Sequence, residues 1–132
     1  MKENKYDDEI FFDRYSQMSR SVNGLKGAGE WHALRSMFPA FKGKRVLDLG
    51  CGFGWHCLYA VEHGAVEVMG IDISEKMIEG AKQRNSSPLI QYKCVAIEDF
   101  EFKPSCYDVV ISSLVFHYLE SFKNICEKVY TC

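Results

Sequence analysis

From Lys44 onward, short apolar runs alternate with stretches whose apolar residues recur at helical spacing. Arg45-Val46-Leu47-Asp48-Leu49 is one such run, closed by Gly50, and its near-continuous apolar character predicts a buried parallel strand. The pattern then predicts a helix over 54–63, stopped by Gly64. Val66 to Ile71 reads as a second strand ending at Asp72. Ser74 suits the N-cap of a helix that turns Met77, Ile78 and Ala81 inward. Residues 89–95 and 107–112 read as a third and a fourth strand, and a last helix starting near Glu120 carries Ile125 and Val129 inward. Strands separated by helices of this length imply right-handed βαβ crossovers and an α/β fold with a parallel sheet.

The residues before Lys44 read differently. Ile10, Phe11, Phe12, Tyr15 and Met18 fall at mixed three- and four-residue spacings, which predicts an amphipathic helix over 8–19. The Gly-rich stretch 21–29 predicts a loop, and a short helix over 30–38 stops at Pro39. The chain thus divides into a helical segment over 1–43 and a sheet domain over 44–132.

Composition narrows the function classes. The 132 residues carry a formal charge of −2 with 47% hydrophobic positions, which fits one ordinary globular domain and argues against non-specific nucleic-acid binding. No apolar run approaches the ~18 residues of a membrane span, and the charged N-terminus does not resemble a signal peptide, so a cytoplasmic location is expected. Cys51, Cys57, Cys94, Cys106, Cys126 and Cys132 lack metal-ligand spacing and read as reduced thiols, with no metal expected. Cys132, as the last residue, is a candidate for an intermolecular disulfide.

In open α/β sheets ligands bind beyond the carboxyl ends of the strands. Gly50-Cys51-Gly52-Phe53-Gly54 occupies that place after the first strand. Glycines there permit positive φ and let a ligand approach the backbone, while the following helix N-terminus favours an anionic group. The dinucleotide fingerprint would need a third glycine where Trp55 stands, so NAD binding is the second choice. Asp72, at the end of the second strand, is placed to accept both hydroxyls of a ribose.

Val46-Leu47-Asp48-Leu49-Gly50-Cys51-Gly52-Phe53-Gly54 resembles motif I of class I S-adenosylmethionine-dependent methyltransferases. Gly70-Ile71-Asp72-Ile73-Ser74 resembles the acidic loop after their second strand, and Ala96 to Phe100 with Tyr107 to Tyr118 resembles their third and fourth strand ends. The N-terminal segment resembles that of the small-molecule enzymes of ubiquinone and menaquinone biosynthesis. The resemblance implies a doubly wound, Rossmann-like sheet with helices on both faces and strand order 3-2-1-4, part of a seven-stranded fold. It also implies S-adenosyl-L-methionine as cofactor. Gly50, Gly52 and Gly54 would line its methionine part, with Asp48 steadying the loop or simply holding the turn as a buried acid. Asp72 would hold the ribose, Ile73 and Met77 one side of the adenine and Ile97 the other. Ala96 stands where many relatives have Asp, so Glu98 would take the adenine amino group or that contact is missing. Ser113 would face the cofactor from the fourth strand end. Tyr15 and Arg20 would belong to a lid, Arg20 meeting the methionine carboxylate, unless they are ordinary packing and surface residues. Trp55 either closes the methionine pocket or packs. His117 is the candidate general base for a small-molecule acceptor.

Methyl transfer from a sulfonium chiefly requires in-line alignment of acceptor and methyl group, with no metal. Four strands of seven leave the fourth at an edge, an apolar one prone to pairing. The chain is therefore expected to be either part of a longer protein or self-associating through that edge. A cofactor-binding module without turnover is the alternative to an active methyltransferase.

Overall fold

The computed structural model describes residues 5–27, 29–113 and 122–132. Its sheet has four parallel strands, β1 (Arg45–Leu49), β2 (Glu67–Asp72), β3 (Ile90–Cys94) and β4 (Val109–Ile111), in the order β3-β2-β1-β4. The helices are α1 (Glu9–Ser16), α2 (Ser19–Val22), α3 (Trp31–Met37), α4 (Trp55–Glu62), α5 (Glu75–Arg84) and α6 (Phe122–Thr131). The predicted doubly wound architecture and strand order are what the molecule adopts.

Alternation along β1 builds a core on each face of the sheet. Val46 points to one side with Cys57 and Ala60 of α4 and Ile78 of α5; Leu47 and Leu49 point to the other with Ile97, Phe100 and Ile125 of α6. Val46, Leu47 and Leu49 are all 0% exposed, and full burial of such a side chain contributes roughly 1.5–3 kcal/mol. α5 begins as its sequence requires, with the Ser74 hydroxyl accepting from the Met77 N–H at 3.1 Å. Met77, Ile78 and Ala81 are its buried face.

Four expectations need correction. The helix over 8–19 is interrupted: the amides of Gln17 and Met18 turn back to the carbonyls of Arg14 and Tyr15, closing α1 three residues short. Its apolar spacing does not produce burial either, Ile10 being 67% and Met18 47% exposed. The stretch over 21–29 is not a plain loop. α2 runs to Val22, a 3-10 helix covers Gly24–Gly27, and Gly24, at φ +65°, lets the backbone lie against the Trp55 ring. β4 is shorter than 107–112: the Tyr107 amide donates to the Cys132 carbonyl at 3.1 Å, and the Arg45 amide is taken by the Asp108 carboxylate at 2.9 Å, which also accepts from the guanidinium Nε at 3.1 Å. Finally, Cys132 is 6% exposed, its thiol donating to the Val129 carbonyl, so burial opposes the intermolecular disulfide. Among the described residues no helix is long and apolar enough to cross a membrane.

Candidate functional site

The loop Gly50–Gly54 leaves the end of β1 and is tied at once to β2. The amides of Gly50 and Cys51 both donate to the Ile71 carbonyl at 2.8 Å. Gly50, Gly52 and Gly54 all have positive φ, +74°, +55° and +81°, conformations that L side chains rarely adopt. Space separates the last two. A Cβ on Gly52 would meet nothing within 4 Å, whereas one on Gly54 would run into the Tyr92 hydroxyl and come within 2.9 Å of its Cζ. Gly52 therefore faces the open crevice, and Gly54 is a packing glycine.

Asp72, at the carboxyl end of β2, faces this loop. Its carboxylate accepts from the Gly52 amide at 3.0 Å and from the Ser74 amide at 2.9 Å. Burial pushes its carboxyl above the ordinary range, the two amide bonds pull against that, and the nearby Asp7 pushes it up again. An acceptor is thus fixed between the glycine loop and the N-terminus of α5.

Asp48 lies beneath the loop, 1% exposed. The Cys57 thiol donates to its Oδ2 at 3.5 Å. Burial raises the Asp48 carboxyl to about 7, the Cys57 bond opposing this and the charge of Asp72 adding to it. The Cys57 thiol is itself held well up by its bond with Cys51 and by burial.

The remaining predicted residues divide by burial. Ile73 is half-buried, while Met77 and Ile97 are 1% and 5% exposed, within the core rather than on an open wall. Glu98 is half-buried on the 3-10 helix Ile97–Asp99. Ser113 is half-buried just past β4, next to Ser112, whose hydroxyl donates to the Leu49 carbonyl at 3.2 Å. Tyr15 reaches the glycine loop through Phe53, the ring centroids 6.1 Å apart. Of Arg20 only the backbone, within α2, is described, and His117 lies outside the described residues. Trp55 packs on Gly24, and His56 stacks on Trp31 with its imidazole held below its ordinary pKa by burial.

Three residues at the site escaped sequence reasoning. The Asp7 carboxylate accepts from the Ser74 hydroxyl at 2.5 Å and from the amides of Glu75 and Lys76 at 3.3 and 3.1 Å, covering the N-terminus of α5 beside Asp72. Asn85 donates from Nδ2 to the Phe53 carbonyl at 2.7 Å, and Tyr92 donates to the Asn85 carbonyl at 2.7 Å. Nothing local marks Asp7, 67 positions before Ser74. For Asn85 the signal is a polar residue at a helix end otherwise facing the core.

Comparison with known proteins agrees with this geometry. Residues 46–132 match the model of a methyltransferase domain. A protein from Listeria monocytogenes assigned as an S-adenosylmethionine-dependent methyltransferase superposes with a TM-score of 0.76 at 57% identity, over 78% of this chain and 48% of that one. An S-adenosylmethionine-dependent methyltransferase from Mesorhizobium loti gives a TM-score of 0.78 at 42% identity, over 82% and 49%. The ubiquinone biosynthesis O-methyltransferase of Neisseria meningitidis is 41% identical over 52% of this chain and 31% of its own length. The chain spans about half the length of the two matched structures. With a family match over most of its length and a sheet of the same order, the chain belongs to the class I S-adenosylmethionine-dependent methyltransferases.

Proposed function

We propose that this chain is the cofactor-holding part of a methyltransferase that uses S-adenosyl-L-methionine to methylate a small-molecule acceptor. One observation carries the reading: the Asp72 carboxylate is fixed 3.0 Å from the amide of Gly52, the glycine whose side-chain direction is open. An adenosyl amino acid needs an acceptor for its ribose hydroxyls close to an uncluttered backbone for its methionine end. The loop and Asp72 offer both, so the residues present fit this cofactor. The half-buried Ile73 would border the adenine, with the backbone of Ile97 and Glu98 across from it. Ser113 would close the crevice from the end of β4.

When bound, the cofactor supplies a methyl group already activated by a positive sulfur. The chain's part is to hold and orient: Gly52 leaves room, Asp72 accepts, and Asp48 stays out of the charge balance under the loop while it is protonated. Alignment of this kind contributes on the order of 7–11 kcal/mol when well held. Residues 1–43 would act as a lid on the domain over 44–132, a reading supported by Asp7 at α5 and by Phe12 and Tyr15 against Phe53. Arg20 would join it at the methionine carboxylate. His117 would serve as general base. The open side of β4 would take further strands of a longer chain, favoured over a second copy because the matched structures are about twice as long.

Calorimetric titration with S-adenosylhomocysteine tests the reading. Binding at micromolar concentration is expected, with Asp72→Ala reducing it at least a hundredfold. Undiminished binding by Asp72→Ala, or NADH binding that S-adenosylhomocysteine cannot displace, would overturn it. Transfer of labelled methyl to a panel of hydroxylated quinone precursors then separates an active enzyme from a binding module.

A further inference from the structure

We propose that Asn85 and Tyr92 form a positioning clamp that sets the cofactor-facing shape of the glycine loop from behind; this rests on the reading of that loop as the S-adenosylmethionine site. Asn85 ends α5 and is 1% exposed. An asparagine at a helix end is commonly chosen because it tolerates left-handed backbone, but here φ is −137° and ψ 51°, outside the left-handed region. Its side chain is therefore not there for a left-handed cap.

A buried amide costs stability unless it is hydrogen-bonded. Among the described residues no donor reaches the buried Oδ1 of Asn85, and its Nδ2 makes one bond, to the Phe53 carbonyl at 2.7 Å. That carbonyl belongs to the peptide plane joining Phe53 to Gly54, whose N–H donates to the Cys51 carbonyl at 2.9 Å. The plane is thus fixed at both ends. It closes the glycine loop and sets the left-handed Gly54 from which α4 starts.

Tyr92 holds the clamp in place from β3. Its hydroxyl donates to the Asn85 carbonyl and fills the space a side chain at position 54 would need. Burial pushes that hydroxyl far above its ordinary pKa, so it remains a donor throughout the working range. Two side chains thus act in series on one peptide: Tyr92 sets Asn85, and Asn85 sets Phe53.

The test is the dissociation constant for S-adenosylhomocysteine, measured at a temperature well below the melting point of every variant. Tyr92→Phe removes one oxygen, and Asn85→Ala removes the amide. Each is expected to weaken binding about tenfold. The double variant should be no weaker than the worse single one, because both act through one bond. Lys82→Ala, exposed on the same helix, should bind as wild type. Should Asn85→Ala fail to fold, Tyr92→Phe alone decides. Variants that melt earlier yet bind as wild type would overturn the clamp and leave the cofactor reading standing, as would additive losses in the double variant. Absence of binding by the wild-type chain would overturn both.

Discussion

The sheet and the segment before it are held by different physics. β1 is buried on both faces, with Leu47 and Leu49 in one core and Val46 in the other. By contrast, α1 and α3 contain no buried residue. The N-terminal segment as far as Trp31 docks through a few directional contacts, Asp7 on α5, Phe12 and Tyr15 edge-on or tilted to Phe53, and Trp31 against His56 and Tyr59, and only beyond it does Phe41 enter the Val46 core. Arg84 joins the two parts, its guanidinium 3.9 Å from the Phe53 ring centroid and within 3.5 Å of the Ser21 carbonyl. Burial over a broad area is cooperative, whereas a handful of surface bonds can open locally at little cost. A lid needs the second kind of attachment, and a platform for the cofactor loop needs the first.

The largest effect is expected where the platform is cut. Leu47→Ala empties a fully buried site and should cost about 2–5 kcal/mol, lowering the melting temperature of the whole chain in one transition by circular dichroism. If only the N-terminal segment melted, the division drawn above would be wrong.

A pH series sharpens the same contrast. Asp48 is held at about 7 in the folded chain against 3.8 as a free carboxyl. A group raised on folding contributes stability that is complete below its unfolded value and is lost as pH rises through its folded value. The melting temperature should therefore fall as pH rises from about 4 to about 7 and level off above that, and Asp48→Asn should flatten that slope. Asp108, drawn down to about 2 by its hydrogen bonds with Arg45, loses its contribution only in strong acid and is silent in this window. His56, lowered from 6.5 by burial, acts in the opposite sense below pH 6.5, so the comparison with Asp48→Asn isolates the Asp48 part.

Phe12→Ala should have a smaller and more local effect. Its ring lies 5.8 Å from that of Phe53 and 5.6 Å from the Lys76 ammonium. Loss of a half-buried ring here costs about 1–2 kcal/mol. Trypsin should then cut faster after the exposed Arg14, while the melting of the sheet stays unchanged.

How much could be read from the chain follows the same division. β1, β2 and α5 are written in local terms, an apolar run between turn residues or a Ser cap before a periodic stretch, and the sequence reading found them within a residue. Asp72 and Gly52 were legible because strand end and turn sit at a fixed place in any parallel α/β sheet. β4 came out short because the contacts at its start, Asp108 with Arg45 63 positions away and Tyr107 with the Cys132 carbonyl, are made only in the fold. Asp7, Asn85 and Tyr92 were missed for the same reason. Each acts on a backbone group that only the fold brings near, and no spacing rule connects Asp7 to Ser74 or Asn85 to Phe53.

Asp7 supplies the smallest expected effect and the most specific one. The N-terminus of α5 carries unsatisfied amides and a positive dipole end, which a carboxylate stabilises. Asp7 accepts from the amides of Glu75 and Lys76 there, while Ser74 caps Met77 and donates its own N–H to the Asp72 carboxylate. Asp7→Ala removes a cap of this kind at a cost of about 1 kcal/mol. Hydrogen exchange should speed up at the Glu75 and Lys76 amides and within α1, and hardly at all in β1 and β2. The same substitution removes a carboxylate that pushes the Asp72 carboxyl upward, so the Asp72 titration followed by NMR should move down. Faster exchange without that movement would mean that the N-terminal segment is latched to the helix but electrically indifferent to Asp72. Movement without faster exchange would mean that other contacts hold the segment, and the aromatic pairs on Phe53 would then be the attachment that matters.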